Sequence, residues 1–194
     1  MNSMPIAPAF DLRRSEAIPC VDDGPSPSPI FLPEGTIPAG DYASGFVLPR
    51  WDKGAFGSVE LLGTPSVLHF YSGSAGWSQQ TSALAELHPK LARLGVFLIG
   101  IIAAEASVVT AHCEGASPAF PVLCDCEPRA IVSRLYGFNR ERAAPVVSAT
   151  FLIDARGVIR WVQAEVGDRW TSGREILGAV RAHLLRPFPV GPID

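Results

Sequence analysis

The residues of this chain best suited to chemistry are its four cysteines, Cys20, Cys113, Cys124 and Cys126. Two of them flank a single residue, in Cys124-Asp125-Cys126. Thiols that close together can form a small, strained ring, and strained disulfides are oxidising and labile. Pro128 follows at once and suits the first turn of a helix, whose dipole would favour a Cys126 thiolate. Cys124 and Cys126 are therefore the candidate catalytic pair. The plainer alternative is two small half-buried residues in a loop, with Asp125 capping the helix. A weaker candidate joins His112 and Cys113 to the pair as four soft metal ligands. Adjacent His and Cys rarely turn to one ion, however, so no metal and no cofactor is expected. Cys20 would be a remote partner for a domain thiol. The four spacings do not form a secreted disulfide framework, which leaves reduced thiols or one redox-active pair.

A second stretch has the position for chemistry without the reagents. Pro65 to Thr81 reads as a buried strand (Val67-Leu68-His69-Phe70-Tyr71), a glycine-containing turn, and a helix start at Trp77-Ser78-Gln79-Gln80. Leucines at 84, 87, 91 and 94 give that helix a core face. Free N–H groups at such a helix start stabilise an anion, and a cysteine there would be a reactive thiolate. None stands there. Ser74, Ser78 and Thr81 cannot replace it, because an alcohol forms no reversible sulfenic acid. Ser78 is expected to cap the helix, and His69 to point into a helix interface.

The elements that position these residues follow from composition and periodicity. A chain of 194 residues suits one domain with an arm. Its net charge of −3, with scattered Arg and Lys, argues against a nucleic-acid partner. No apolar run nears the roughly 20 residues of a membrane helix, and the N-terminus lacks a signal-peptide pattern; a cytoplasmic location is expected. Residues 1–37 form a proline-rich arm, including Pro25-Ser26-Pro27-Ser28-Pro29, where fixed φ and missing donors favour extension over helix or sheet.

Residues 38–194 form the domain. Short extended pieces are expected at 46–49 and 58–62, with a loop at 51–57 between them. Phe97-Leu98-Ile99-Gly100-Ile101-Ile102 reads as a central parallel strand buried on both faces, entered through Gly95 as a helix C-terminal cap. A shorter helix spans 105–114, an extended segment 118–123, and another helix runs from Pro128 to Tyr136. Two strands, 149–154 and 158–162, make a hairpin, and a last amphipathic helix spans 173–185. From the strand at Val67 onward the order is β-α-β-α-β-α-β-β-α, an α/β fold with a mixed central sheet flanked by helices.

Four stretches together resemble the peroxiredoxins of the alkyl hydroperoxide reductase and thiol-specific antioxidant (redoxin) family. They are Gly40-Asp41 with Phe46-Val47-Leu48-Pro49, the strand Val67-Leu68-His69-Phe70-Tyr71, Phe120-Pro121-Val122-Leu123 with Asp125 and Tyr136-Gly137, and Thr150-Phe151-Leu152-Ile153-Asp154 with Gly157-Val158-Ile159-Arg160. The resemblance covers about residues 38 to 186 and implies a thioredoxin-like fold. It also implies a thiol-dependent peroxidase, a thiol reductant or protein partner, and a homodimer.

The family's peroxidatic cysteine would fall at Trp77, Ser78 or Gln79, and its activating arginine at Ser148. Both reagents are replaced. The reading is a peroxiredoxin-like protein with a degenerate active site and little or no peroxidase activity, acting as a redox-related binding or regulatory module. The alternatives are an active peroxidase or thiol-disulfide oxidoreductase using Cys124 and Cys126, and a structural assembly partner.

Overall fold

The computed structural model describes residues 35–71, 76–126, 130–137, 146–166 and 170–184. Most of the proline-rich arm, with Cys20, lies outside them, as do Ser74 and Pro128. Strands β1 (Val47–Pro49) and β2 (Ala55–Gly57) form a small antiparallel ladder. The remaining elements are β3 (Ser66–Tyr71), α1 (Trp77–Ala92), β4 (Phe97–Ile102), α2 (Ala106–Ala116), β5 (Val122–Cys124), α3 (Ile131–Leu135), β6 (Val146–Ile153), β7 (Ile159–Val166) and α4 (Gly173–His183). This is the element order expected from the sequence. Two early segments differ. Ser58–Leu61 is a 3-10 turn rather than an extended piece, because the Glu60 carboxylate folds back to accept the Gly57 N–H at 2.8 Å. Residues 55–57, expected as loop, pair with β1.

The main sheet has the order β5-β4-β3-β6-β7. Strands β3, β4 and β5 run parallel, while β6 is antiparallel to β3 and β7 to β6. It is the mixed central sheet that the sequence predicts. Alternation along β3 divides the core into two layers. Val67 and Tyr71 pack with Leu84, Leu87 and Leu91 of α1, Ile102 of β4, Cys113 of α2, Cys124 of β5 and Val180 of α4. Leu68 and Phe70 pack on the other face with Ile101, Leu123, Phe151, and Val132 and Tyr136 of α3.

Two glycines sit where the chain turns out of a helix. Gly95, at φ +69°, turns the chain from α1 into β4 in the left-handed conformation that glycine adopts without strain. Gly137, at φ +90°, follows α3, and a Cβ there would collide with the backbone of Gly35 and Thr36. The entry segment continues across the β6–β7 end, where Gly40 N–H donates to Ile159 O and Ile159 N–H to Asp41 O. Tyr136 then ties α3 to this segment by donating its hydroxyl to Ser44 O at 3.0 Å.

The second core layer centres on Phe70, Tyr136 and Phe151, whose ring centroids lie 5.0 to 5.7 Å apart. Phe151 is fully buried. Phe151→Ala should cost roughly 3–5 kcal/mol through lost transfer energy and the cavity left behind, read as a lower urea midpoint with an unchanged slope.

Candidate functional site

The C-terminal ends of β3, β4 and β5 lie abreast. Tyr71 pairs with Ile102, and Ile102 with Cys124. The strand-to-helix junction at β3–α1 and the Cys124-Asp125-Cys126 segment therefore share one edge of the sheet, roughly 10 Å apart by two strand spacings. Tyr71 and Cys124 also share one face.

At the junction, β3 turns His69 inward against α1, as expected. The ring is fully buried. Its Nε2 lies 3.0 Å from Gln80 Oε1 and its Nδ1 3.0 Å from Thr150 Oγ1. With Gln80 presenting its oxygen, the neutral ring donates from Nε2 and accepts at Nδ1 from the Thr150 hydroxyl. Burial lowers the His69 pKa to about 4, opposed in part by the Gln80 bond. Gly76 makes room for this arrangement, because a Cβ there would come within 2.9 Å of the Gln80 amide nitrogen. Alongside, Thr81 donates to the Tyr71 hydroxyl at 3.3 Å, and its oxygen lies 3.0 Å from His112 Nε2 on α2. Gly100 lets the Tyr71 ring lie across β4.

The first turn of α1 carries Trp77 and Gln80 buried and Ser78 and Gln79 exposed. Gly76, not Ser78, is the N-cap, and no side chain caps the helix. Ser78 is already inside the helix, where its hydroxyl turns to solvent. Ser148 faces Tyr71 across the β3–β6 ladder and is buried without a hydrogen-bond partner for Oγ, as is Trp77 for Nε1.

At the second position the candidate thiols come together. Cys124 Sγ and Cys126 Sγ are 3.1 Å apart, with Cys124 buried and Cys126 exposed. The Cys124 thiol also donates to Ala104 O at 3.3 Å. Burial first, then the Cys126 hydrogen bond, pushes Cys124 up to about 12. Cys113 is buried and raised to about 11, mainly by burial and then by Asp52. Pro128, on which the expected support of Cys126 by a helix start rests, lies outside the described residues. Helix α3 begins at Ile131, and its Val132 and Ser133 N–H groups donate to the Asp125 carboxylate at 3.2 and 2.7 Å. Asp125 thus caps that helix, as the plainer sequence reading held.

The four-ligand metal cluster is not assembled. His112 turns to Thr81 and stacks edge-on against Trp77, and among the described residues no group of three or more His, Cys, Asp or Glu is placed to hold a metal ion. Nor, among them, is any helix long and apolar enough to cross a membrane.

Residues 39–162 match the AhpC/TSA family model. The chain belongs to the AhpC/TSA family. No curated protein sequence is significantly similar to it. Solved structures of redoxins share its fold. AhpC of Enterococcus faecalis superposes with a TM-score of 0.66 at 16% identity, over 74% of this chain and 90% of that one. PrxQ of Xylella fastidiosa gives 0.66 at 18%, over 75% and 96%. A putative thiol:disulfide interchange protein DsbE of Chlorobium tepidum gives 0.61 at 20%, over 75% and 99%. This AhpC/TSA protein thus has the thioredoxin-like fold of both peroxiredoxins and DsbE-like proteins.

Sequence reasoning did not find Thr150, Gln80 and Thr81 as partners of the two histidines. One signal was present: His69 and Thr150 are polar residues within mainly apolar strands, and the two stand opposite each other in register. Their burial has a pH signature. The folded-state pKa of His69 lies below its unfolded value of 6.5, so the unfolded chain binds the extra proton. Stability should be full above about pH 6.5 and fall towards pH 4, by on the order of 3 kcal/mol. Urea titrations across that range should show the slope, and His69→Gln should flatten it.

Proposed function

We propose that this protein is a redoxin whose ordinary peroxidatic site is degenerate and whose remaining thiol chemistry rests on Cys124 and Cys126. The observation that carries the proposal is the 3.1 Å approach of one buried and one exposed sulfur. Closing a disulfide of about 2 Å from that separation needs only a small side-chain movement. At the family's usual position, side chains that offer no thiol fill the space, and Ser148 stands where the resemblance places arginine.

The exposed thiol takes the nucleophilic role. As a thiolate, Cys126 attacks one sulfur of a substrate disulfide, forming a mixed disulfide and expelling one thiolate. Cys124 then gives up its proton to solvent and attacks the Cys126 sulfur. The Cys124–Cys126 disulfide forms, and the second substrate thiolate leaves and is protonated. The substrate gains two electrons and two protons, and the protein dithiol loses them. An external thiol reductant reverses the change, and a reducing compartment such as the cytoplasm suits the pair. Only a thiolate attacks, so burial, which raises the Cys124 thiol, makes the resolving step slow at neutral pH.

A second reading is a binding or regulatory module without turnover. It draws on the same raised Cys124 thiol, held protonated against Ala104 O.

Reduction of a small dye-linked disulfide, with dithiothreitol as reductant, separates the readings. Turnover is expected from the protein and not from the Cys124→Ser, Cys126→Ser double variant. Decay of the mixed disulfide should speed up about tenfold per pH unit between pH 7 and 10. Turnover that survives the double change would move the chemistry to Cys113 or Cys20, and no turnover at all would favour the binding module.

A further inference from the structure

The alternation of β5 extends past its last residue and sorts the redox segment into two sides. Leu123 faces the layer that holds Val132 and Tyr136, whereas Val122 and Cys124 face the layer that holds Cys113 and Trp77. The ladder continues through Asp125, whose N–H donates to Ile102 O at 2.9 Å. Asp125 falls on the Leu123 side and meets α3. Asp125 is 2% exposed, and its carboxylate accepts from Val132 N–H, from Ser133 N–H and from the Ser133 hydroxyl, the last at 2.7 Å. Cys126 falls back on the Cys124 side, and its carbonyl accepts from Ala130 N–H at 3.1 Å.

We propose that Asp125 is the positioning residue of the dithiol: by locking its carboxylate into α3 it turns Cys124 and Cys126 to the same side and holds their sulfurs in contact. The inference rests on the reading of that pair as redox-active and explains why the two thiols meet. A residue between two cysteines in an extended chain points away from both. Any anchor for it therefore orients its neighbours together. Three donors fix both carboxylate oxygens, so the side chain has one pose and the backbone at 124–126 little freedom. An anchored pair closes its ring with little loss of further freedom, which raises the effective concentration of one thiol at the other. Helix capping alone does not account for this placement, since a cap need not stand between two thiols.

The experiment equilibrates the full-length protein with mixtures of reduced and oxidised glutathione. Free thiols are then alkylated, and the Cys124–Cys126 disulfide is quantified by mass. The balance is protein dithiol plus oxidised glutathione giving protein disulfide plus two reduced glutathiones, so its equilibrium constant is the effective concentration. Asp125→Ala and Asp125→Asn are expected to lower that constant at least tenfold, and Ser133→Ala, which removes one of the three donors, by a smaller factor. Circular dichroism establishes which variants are folded, and the comparison is made among those. The ratio of the folding equilibrium constants of oxidised and reduced protein should fall by the same factor, as linkage requires. A merely structural cap would lower both stabilities alike and leave the constant where it was. An unchanged constant in every folded variant overturns the proposal. Failure of the wild-type protein to form the disulfide at any glutathione ratio instead overturns the reading beneath it.

Discussion

The parallel ladder of β3, β4 and β5 is the constraint on which the candidate site depends. It holds Tyr71, Ile102 and Cys124 abreast and on one face, so whatever follows each strand emerges at one edge of the molecule. After β3 comes the start of α1, and after β5 comes Cys126. Alternation along the same strands assigns the rest. His69 and Tyr71 turn to α1 and α2, Phe70 and Leu123 turn to α3, and Asp125 continues on the α3 side. Moving β5 by one residue would exchange its two faces and turn both thiols to the α3 side.

Two polar systems occupy this edge, with opposite characters. Around β3 and α1, His69 has a partner at each ring nitrogen, and Thr81 links Tyr71 to His112. In a low-dielectric interior a satisfied network of this kind rigidifies what it joins. Around β5 and α3, three donors hold the Asp125 carboxylate, and of the two sulfurs beside it one is open to solvent and the other buried. The first system reads as architecture and the second as the place where electrons can be exchanged. That division is the proposed answer to how this redoxin fold keeps thiol chemistry.

The fold was largely legible in the sequence, because its signals are periodic and local. The leucines of α1 mark a helical face, and three of them, Leu84, Leu87 and Leu91, are buried. The apolar run of β4 marks a strand covered on both sides. Gly95 marks a helix end. The early segments were less legible: a three-residue strand such as β2 carries too little alternation to show, and the turn at Ser58–Leu61 depends on one Glu60 side chain. At the site, the Cys124-Asp125-Cys126 spacing was visible, but not which way its side chains face. That depends on the register of β5 against β4, a long-range fact. The same holds for Gln80 and Thr150, which meet only at His69, from elements 70 residues apart in the chain. The N–H groups at the start of α3 go to Asp125, a pairing that also depends on how β5 is placed against that helix.

The central claim is that the exchangeable thiols of this protein are Cys124 and Cys126, and that they pair with each other. Non-reducing peptide mapping after mild oxidation with diamide tests it most directly. The account predicts a single peptide containing Cys124 and Cys126 that is two hydrogens lighter than its reduced form, with Cys113 recovered as the free thiol. A disulfide that joins either residue to Cys113, to Cys20 or to a second copy of the chain, in place of that internal link, would contradict it.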